Sequence, residues 1–250
     1  MVLYLGKDYG SYGIYNTGGI IGSIENSGSI FSENYNSCGI YNENSSIGSL
    51  LNSGVISGYY GIYNHSKGSG SKSDISSLIN DGSITGSSRG IYNHSEDSDS
   101  KSAESLISSI GSILNIGTIY GGTWGINNAS SLGTSSIGSI LNIGTIYGGT
   151  YGIDNTSLGI KGKGSGKGSI ESLLNIGSIS GRFYGILNSS TKESTSSIGI
   201  IENLGNIGSL VGSYGIYNHS NNQDSNSSIE IIKKHRDNIR NRNREWFWNF

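Results

Sequence analysis

One four-residue motif, Gly-Ile-x-Asn, recurs eight times along this 250-residue chain, beginning at Gly13, Gly39, Gly61, Gly90, Gly125, Gly152, Gly185 and Gly215. Between successive copies lies a second motif, Ile-x-x-(Leu/Ile)-x-Asn-x-Gly, whose Asn falls at 26, 52, 80, 115, 142, 175 and 203. The segments Ser109 to Tyr120 and Ser136 to Tyr147 are identical, S-I-G-S-I-L-N-I-G-T-I-Y in both. Recurrence of this kind marks a solenoid, in which a unit buries its apolar face only by stacking on its neighbours.

Length variation is confined to one segment of the unit. The separations Ile75 to Gly90, Ile110 to Gly125, Ile137 to Gly152 and Ile170 to Gly185 are all equal. The stretch from the first motif's Asn to the next Ile runs only from Asn16 to Ile21 in one unit, but from Asn93 to Ile110 in another. Each unit is a fixed block plus one loop at one corner, the pattern of insertions in repeat proteins.

Within the block the residues that matter recur two apart, as in Ile113, Asn115, Gly117 and Ile119, which is strand periodicity. Helical units are disfavoured, because each of the 41 Gly would cost roughly 0.5–1 kcal/mol relative to Ala in a helix. A disordered Gly/Ser linker is excluded by the regular Ile and the net charge of only −2. Three short strands per unit, joined at Asn/Gly corners, describe an all-β parallel β-helix of about eight rungs, roughly 40 Å long at about 4.8 Å per rung. Ile14, Ile40, Ile62, Ile91, Ile126, Ile153, Ile186 and Ile216 are expected to form one internal column, and Ile30, Ile56, Ile84, Ile119, Ile146, Ile179 and Ile207 another. Each buried Ile contributes about 1.5–3 kcal/mol. The Asn of the second motif is expected to turn inward at a corner, in the left-handed backbone region, and to bond its stacked neighbour.

The units Gly-Ile-Tyr-Asn and Leu-Asn-Ile-Gly-Thr-Ile-Tyr-Gly resemble those of bacterial autotransporter passenger domains over about residues 10–228. The resemblance implies a right-handed β-helix that is displayed on the cell surface or secreted. It further implies an adhesin or virulence scaffold without catalysis, held at the outer membrane only through a translocator domain that this chain lacks. The opening Met1-Val-Leu-Tyr-Leu-Gly-Lys7 has no basic region followed by a long apolar run, so it does not read as a signal peptide. The chain is accordingly read as a fragment, a truncated reading frame, or a protein that shares only the architecture of these passengers. The partners expected are a host-cell glycan or protein, or further copies of the chain, and no nucleic acid. A single Cys, Cys38, excludes an internal disulfide framework and a Cys-rich zinc site.

Residues 1–228 are read as the repeat domain and 229–250 as a separate basic, aromatic tail. Lys233, Lys234, Arg236, Arg240, Arg242 and Arg244 fall in that tail. Ser227-Ser-Ile-Glu230 resembles a capping box, and Ile232, Ile239 and Trp246 recur every seven residues. A short helix covering the last rung is the favoured reading. A shifted reading-frame ending, or a basic tail for nucleic acid or membrane, are the alternatives.

Catalytic and ligand motifs are few. Gly86-Ser-Ser88-Arg-Gly90 matches the G-x-S-x-G nucleophile pattern but sits at a join between repeats, where no strand-to-helix elbow is expected. Lys161-Gly-Lys-Gly-Ser-Gly-Lys167-Gly-Ser imitates a phosphate loop, yet Lys161 occupies the first Gly position, so a loop insertion is expected. The four acids between His94 and Glu104 lack calcium-loop spacing. His65 and His94 follow Gly-Ile-Tyr-Asn in consecutive units and would stack about 5 Å apart, close enough to share a metal. They are read as exposed corner residues, and neither metal nor cofactor is assigned. Asp154, Glu171 and Glu202 make no recurring pair, which disfavours the alternative function, a polysaccharide-acting lyase or glycoside hydrolase.

The candidate binding residues are aromatic. Position x of the first motif faces away from the core Ile, so Tyr15, Tyr41, Tyr63 and Tyr92 are expected to form an exposed column for a sugar or protein partner. A flanking column holds Tyr12, Tyr60, Trp124, Tyr151, Tyr184 and Tyr214, interrupted by Cys38 and Arg89. Binding by such a rod would be multivalent, many weak contacts giving avidity.

Overall fold

A computed structural model describes residues 10–97, 106–159, 165–221 and 224–235. The chain is a parallel β-helix with three faces, and no helix occurs among the described residues. The first face is built from the Gly-Ile-x-Asn motifs, starting with strands Tyr12–Thr17 and Cys38–Glu43 and ending with Tyr214–Ser220. The second face is an eight-stranded sheet built from the second motif, from Ile20–Asn26 to Asn226–Lys234. Short strands such as Ser29–Phe31, Thr118–Gly121 and Asn206–Ser209 make the third face. Strands Val55–Lys67 and Ser83–Glu96 run unbroken from the third face into the first, with a register shift between Gly58 and Tyr60 at the bend.

Both expected Ile columns form. Ile14 pairs Ile40, Ile40 pairs Ile62, and Ile62 pairs Ile91, continuing to Ile186 and Ile216. Ile30, Ile56, Ile84 and Ile119 align the same way on the third face. The second face adds two more columns, through Ile47, Ile75 and Ile110 and through Leu50, Leu78 and Ile113. All four converge on one continuous core that runs the length of the rod.

At two corners the core gives way to amides. Asn26, Asn52, Asn80, Asn115, Asn142, Asn175 and Asn203 form a ladder in which each side-chain Nδ2 donates to the next rung's Oδ1, at 2.7–2.8 Å. The first motif's Asn16, Asn42, Asn64, Asn93, Asn128, Asn155, Asn188 and Asn218 make a second such ladder. Inward turning and stacked bonding are as expected for the first ladder, but none of these Asn has a positive φ. The left-handed residues lie instead largely in the variable corner loops, at Gly18, Asn44, Gly68, Gly70, Leu132, Lys192 and Glu193. The second-motif Asn ends its strand and the first-motif Asn lies within one, both in the extended backbone that pairing needs, while those left-handed positions fall in the loops between the first and second faces.

The Gly of the second motif has a steric cause. A methyl group built on Gly117 would overlap Gly82 O, and one on Gly144 would overlap Gly117 O. Here backbones of successive rungs approach too closely for any side chain.

The proposed boundary at 228 is corrected. Asn226–Lys234 is the eighth strand of the second face, with Ile229 on Ile198 and Ile232 on Ile201. The expected helix starting near Ser227 therefore does not form over residues 227–234, because this segment is one more copy of the second motif. Lys234 stands where Asn203 stands in the rung before, which disguises it. The rest of the tail, from residue 236, lies outside the described residues.

Candidate functional site

Three outward columns share the first face. The flanking column reads Tyr12, Cys38, Tyr60, Arg89, Trp124, Tyr151, Tyr184 and Tyr214. The x column reads Tyr15, Tyr41, Tyr63, Tyr92, Asn127, Asp154, Leu187 and Tyr217. Two residues further, Glu43, His65, His94 and Ala129 align. Parallel in-register pairing places like rings one rung apart, close to the distance at which rings stack.

The x column stacks as expected: Tyr15 on Tyr41 at 5.4 Å, Tyr41 on Tyr63 at 5.0 Å and Tyr63 on Tyr92 at 4.7 Å. The expectation that it is exposed is corrected. Only Tyr15, at the end, is open (48% exposed), whereas Tyr41 and Tyr92 are each 8% exposed and Tyr63 is half-buried. Each ring is covered by rings above and below, and Tyr60 with Arg89 closes the side. The Arg89 guanidinium lies 4.2 Å from the ring centres of both Tyr92 and Trp124. Burial pushes the hydroxyls of Tyr41, Tyr63 and Tyr92 well above their ordinary pKa. Four ring faces read as a ligand platform are thus spent mainly on one another.

His65 and His94 are likewise not exposed corner residues. They stack at 5.4 Å with their planes 4° apart and are 4% and 8% exposed. Desolvation lowers His65 to about 4, and desolvation with the neighbouring His65 and Arg89 lowers His94 to about 3, so both rings are neutral at pH 7. Deeper along the x column, Asp154 is fully enclosed. Desolvation pushes it up to about 6, against the opposing effects of the Thr156 hydroxyl and Arg89. Asn127 Nδ2 donates to Asp154 Oδ2 at 3.1 Å, and Arg89 Nε donates to Asn127 Oδ1 at 3.0 Å.

One open concavity among the described residues is on the third face. Its outward column reads Phe31, Ser57, Thr85, Tyr120 and Tyr147. Tyr120 stacks on Tyr147 at 5.4 Å, but its other neighbour is the short Thr85, so one ring face opens onto a gap. The gap is a groove of about 550 Å³ lined by Ser32, Asn34, Ser57, Tyr59, Thr85, Ser87, Tyr120 and three glycines. Tyr35 packs against Tyr59 at 4.6 Å beside it. Reading position x alone missed this groove, because its signal is two short residues between rings in a different column.

The remaining motifs fall away from one another. Ser88 lies within strand Ser83–Glu96, not at a strand-to-helix elbow. Asp154 is on the first face, while Glu171 and Glu202 are on the second. Lys167 to Ser169 begin a second-face strand, and residues 161–164 of the phosphate-loop mimic and 98–104 of the acidic loop lie outside the described residues. Cys38 is buried, and desolvation raises its thiol pKa. No protein-family model, no curated protein and no solved structure matches this chain.

Proposed function

We propose that the protein is a non-catalytic β-helical scaffold of the adhesin type, similar to autotransporter passengers and displayed at the cell surface or secreted. Its ligand is a neutral glycan held in the third-face groove. One observation carries this reading: the groove joins an open tyrosine face to hydroxyl and amide groups and has no acidic or basic side chain in its lining. Aromatic faces with convergent polar groups suit sugar rings. Cleavage of a glycosidic bond would need paired carboxylates about 5–10 Å apart over the bound sugar, so the lining favours holding over cutting. The exposed Tyr15 at the end of the x column provides an additional weak contact, and a rigid rod multiplies such contacts through avidity.

The test is a screen of neutral oligosaccharides followed by titration of the tightest binder. Tyr120→Ala is expected to weaken binding about tenfold, equivalent to roughly 1.4 kcal/mol. Replacing Tyr15 with Ser is expected to have a small effect. Absence of any retained neutral glycan, or wild-type affinity in Tyr120→Ala, would overturn the assignment of the groove. Release of reducing ends from the bound glycan would show an enzyme instead.

A further inference from the structure

We propose that His65, His94 and Glu96 form a binding site for one transition-metal ion of the zinc class, at the edge of the first face. This is independent of the glycan groove on the third face.

The site is assembled by register. His65 and His94 pair directly across adjacent parallel strands, and Glu96, two residues beyond His94, projects on the same side. Each residue offers one ligand atom, and the three atoms lie within 4.8 Å of one another. His65 Nε2 is 3.8 Å from Glu96 Oε2.

Three observations point to an ion rather than to packing alone. His65 Nε2 is enclosed yet forms no hydrogen bond, although the residue is 96% buried (4% exposed). Buried ring nitrogens without a partner are rare and call for a reason. The opposite nitrogens are already engaged: Tyr41 Oη lies 2.9 Å from His65 Nδ1, and Tyr63 Oη 3.4 Å from His94 Nδ1. With the proton on Nδ1, each ring donates to the tyrosine hydroxyl oxygen and leaves its Nε2 lone pair for a metal, the outer-shell arrangement that holds a metal-bound imidazole. The rings lie with their planes 4° apart, and each engages a tyrosine hydroxyl of the preceding rung through the same nitrogen, Nδ1.

Donor type selects the ion. Two imidazoles and one carboxylate suit Zn²⁺ and its neighbours, whereas Ca²⁺ and Mg²⁺ need oxygen cages. Ligation at about 2.0–2.2 Å brings tetrahedral donors to roughly 3.4 Å from one another, so the rings must tilt together by about an ångström. The half-exposed Glu96 side chain closes the third side, and water completes the shell. Among the described residues the column holds one such site, because it continues as Ala129, Thr156 and Ser189 before reaching a single, exposed His219.

The experiment is calorimetric titration of untagged, chelator-treated full-length protein with ZnCl₂, in the absence of sugar. One ion per chain is expected, with a Kd on the order of micromolar or tighter. Glu96→Gln, at an exposed position, is expected to weaken binding at least tenfold with the β-sheet circular dichroism unchanged. His94→Gln is expected to abolish binding, His219→Gln to leave it intact, and the Nε2 resonances of His65 and His94 to shift on zinc addition. Absence of zinc binding at about 100 μM, wild-type affinity in Glu96→Gln, or equal affinity for Ca²⁺ would each overturn the proposal.

Discussion

Replacing Asn80 with Ala tests whether the amide ladder holds the rungs together or merely fills a corner. Asn80 is fully buried in mid-rod. Its Oδ1 accepts from Asn52 Nδ2 at 2.8 Å, and its Nδ2 donates to Asn115 Oδ1 at 2.8 Å and to Thr118 O at 3.0 Å. After truncation the Asn52 amide keeps Gly54 O and Ser83 O, so that donor is not orphaned. Asn115 Oδ1 loses its donor in a dry corner. Two net hydrogen bonds at about 0.5–1.5 kcal/mol each, plus about 1–3 kcal/mol for the stranded acceptor, give a loss of about 2–6 kcal/mol. Asn80→Asp keeps the shape but aims an oxygen at Asn115 Oδ1 and Thr118 O, so it should cost more than Ala. At the last rung of this ladder, Asn203 accepts from Asn175 and is only half-buried, so Asn203→Ala should cost much less. Urea unfolding followed by far-UV circular dichroism reads all three, and an unchanged m value shows that the same surface unfolds. A loss under about 1 kcal/mol for Asn80→Ala, or Asp tolerated as well as Ala, would refute the reasoning.

Three further outcomes follow from the structure. Asp154 has its folded-state pKa raised from 3.8 to about 6, so the native state holds the extra proton and the aspartate destabilises the fold above that range. Asp154→Asn should therefore stabilise the protein at pH 7 by up to about 3 kcal/mol and have little effect at pH 4, measured as melting temperature against pH. His65 and His94 act with the opposite sign: their folded pKa values are depressed to about 4 and 3, so their contribution is complete above pH 6.5 and is lost as pH falls toward 4. A double Gln variant should show a shallower acid limb in the same measurement. Gly117→Ala should destabilise by about 2 kcal/mol or more because the methyl group has no room against Gly82 O, and a neutral result in urea unfolding would contradict that contact.

The architecture was legible because one physical demand, burying Ile on a rung with no flanking helix, is repeated in every unit. Registers such as Ile62 on Ile91 could be read from spacing alone. The backbone of the corners could not: Asn tolerates left-handed angles, but both ladders stay in extended strand and the left-handed backbone falls on loop residues such as Leu132 and Lys192. Side-chain orientation at position x was also legible, since alternation decides it. Exposure was not, because it depends on what the flanking column places beside each ring. Arg89 between Tyr92 and Trp124 turns an outward tyrosine into an enclosed one. Glu96 was within reach of sequence reading, as it shares parity with His94, but it lies at the start of a loop that spacing treats as variable. The strand Asn226–Lys234 was hidden for a simpler reason, since Lys234 replaces the Asn by which the motif was recognised.

The amide ladders also give the rod a direction. In every rung-to-rung pair the earlier Asn is the donor and the later one the acceptor, from Asn16 to Asn42 at one end and from Asn188 to Asn218 at the other. Each interior amide is therefore interchangeable with the next, receiving from the rung before and giving to the rung after. Inserting or deleting a whole unit leaves every interior donor matched, whereas a partial unit strands one. Length in such a molecule changes in integer steps, and the duplicated S-I-G-S-I-L-N-I-G-T-I-Y segments have the form such a step would leave in the chain.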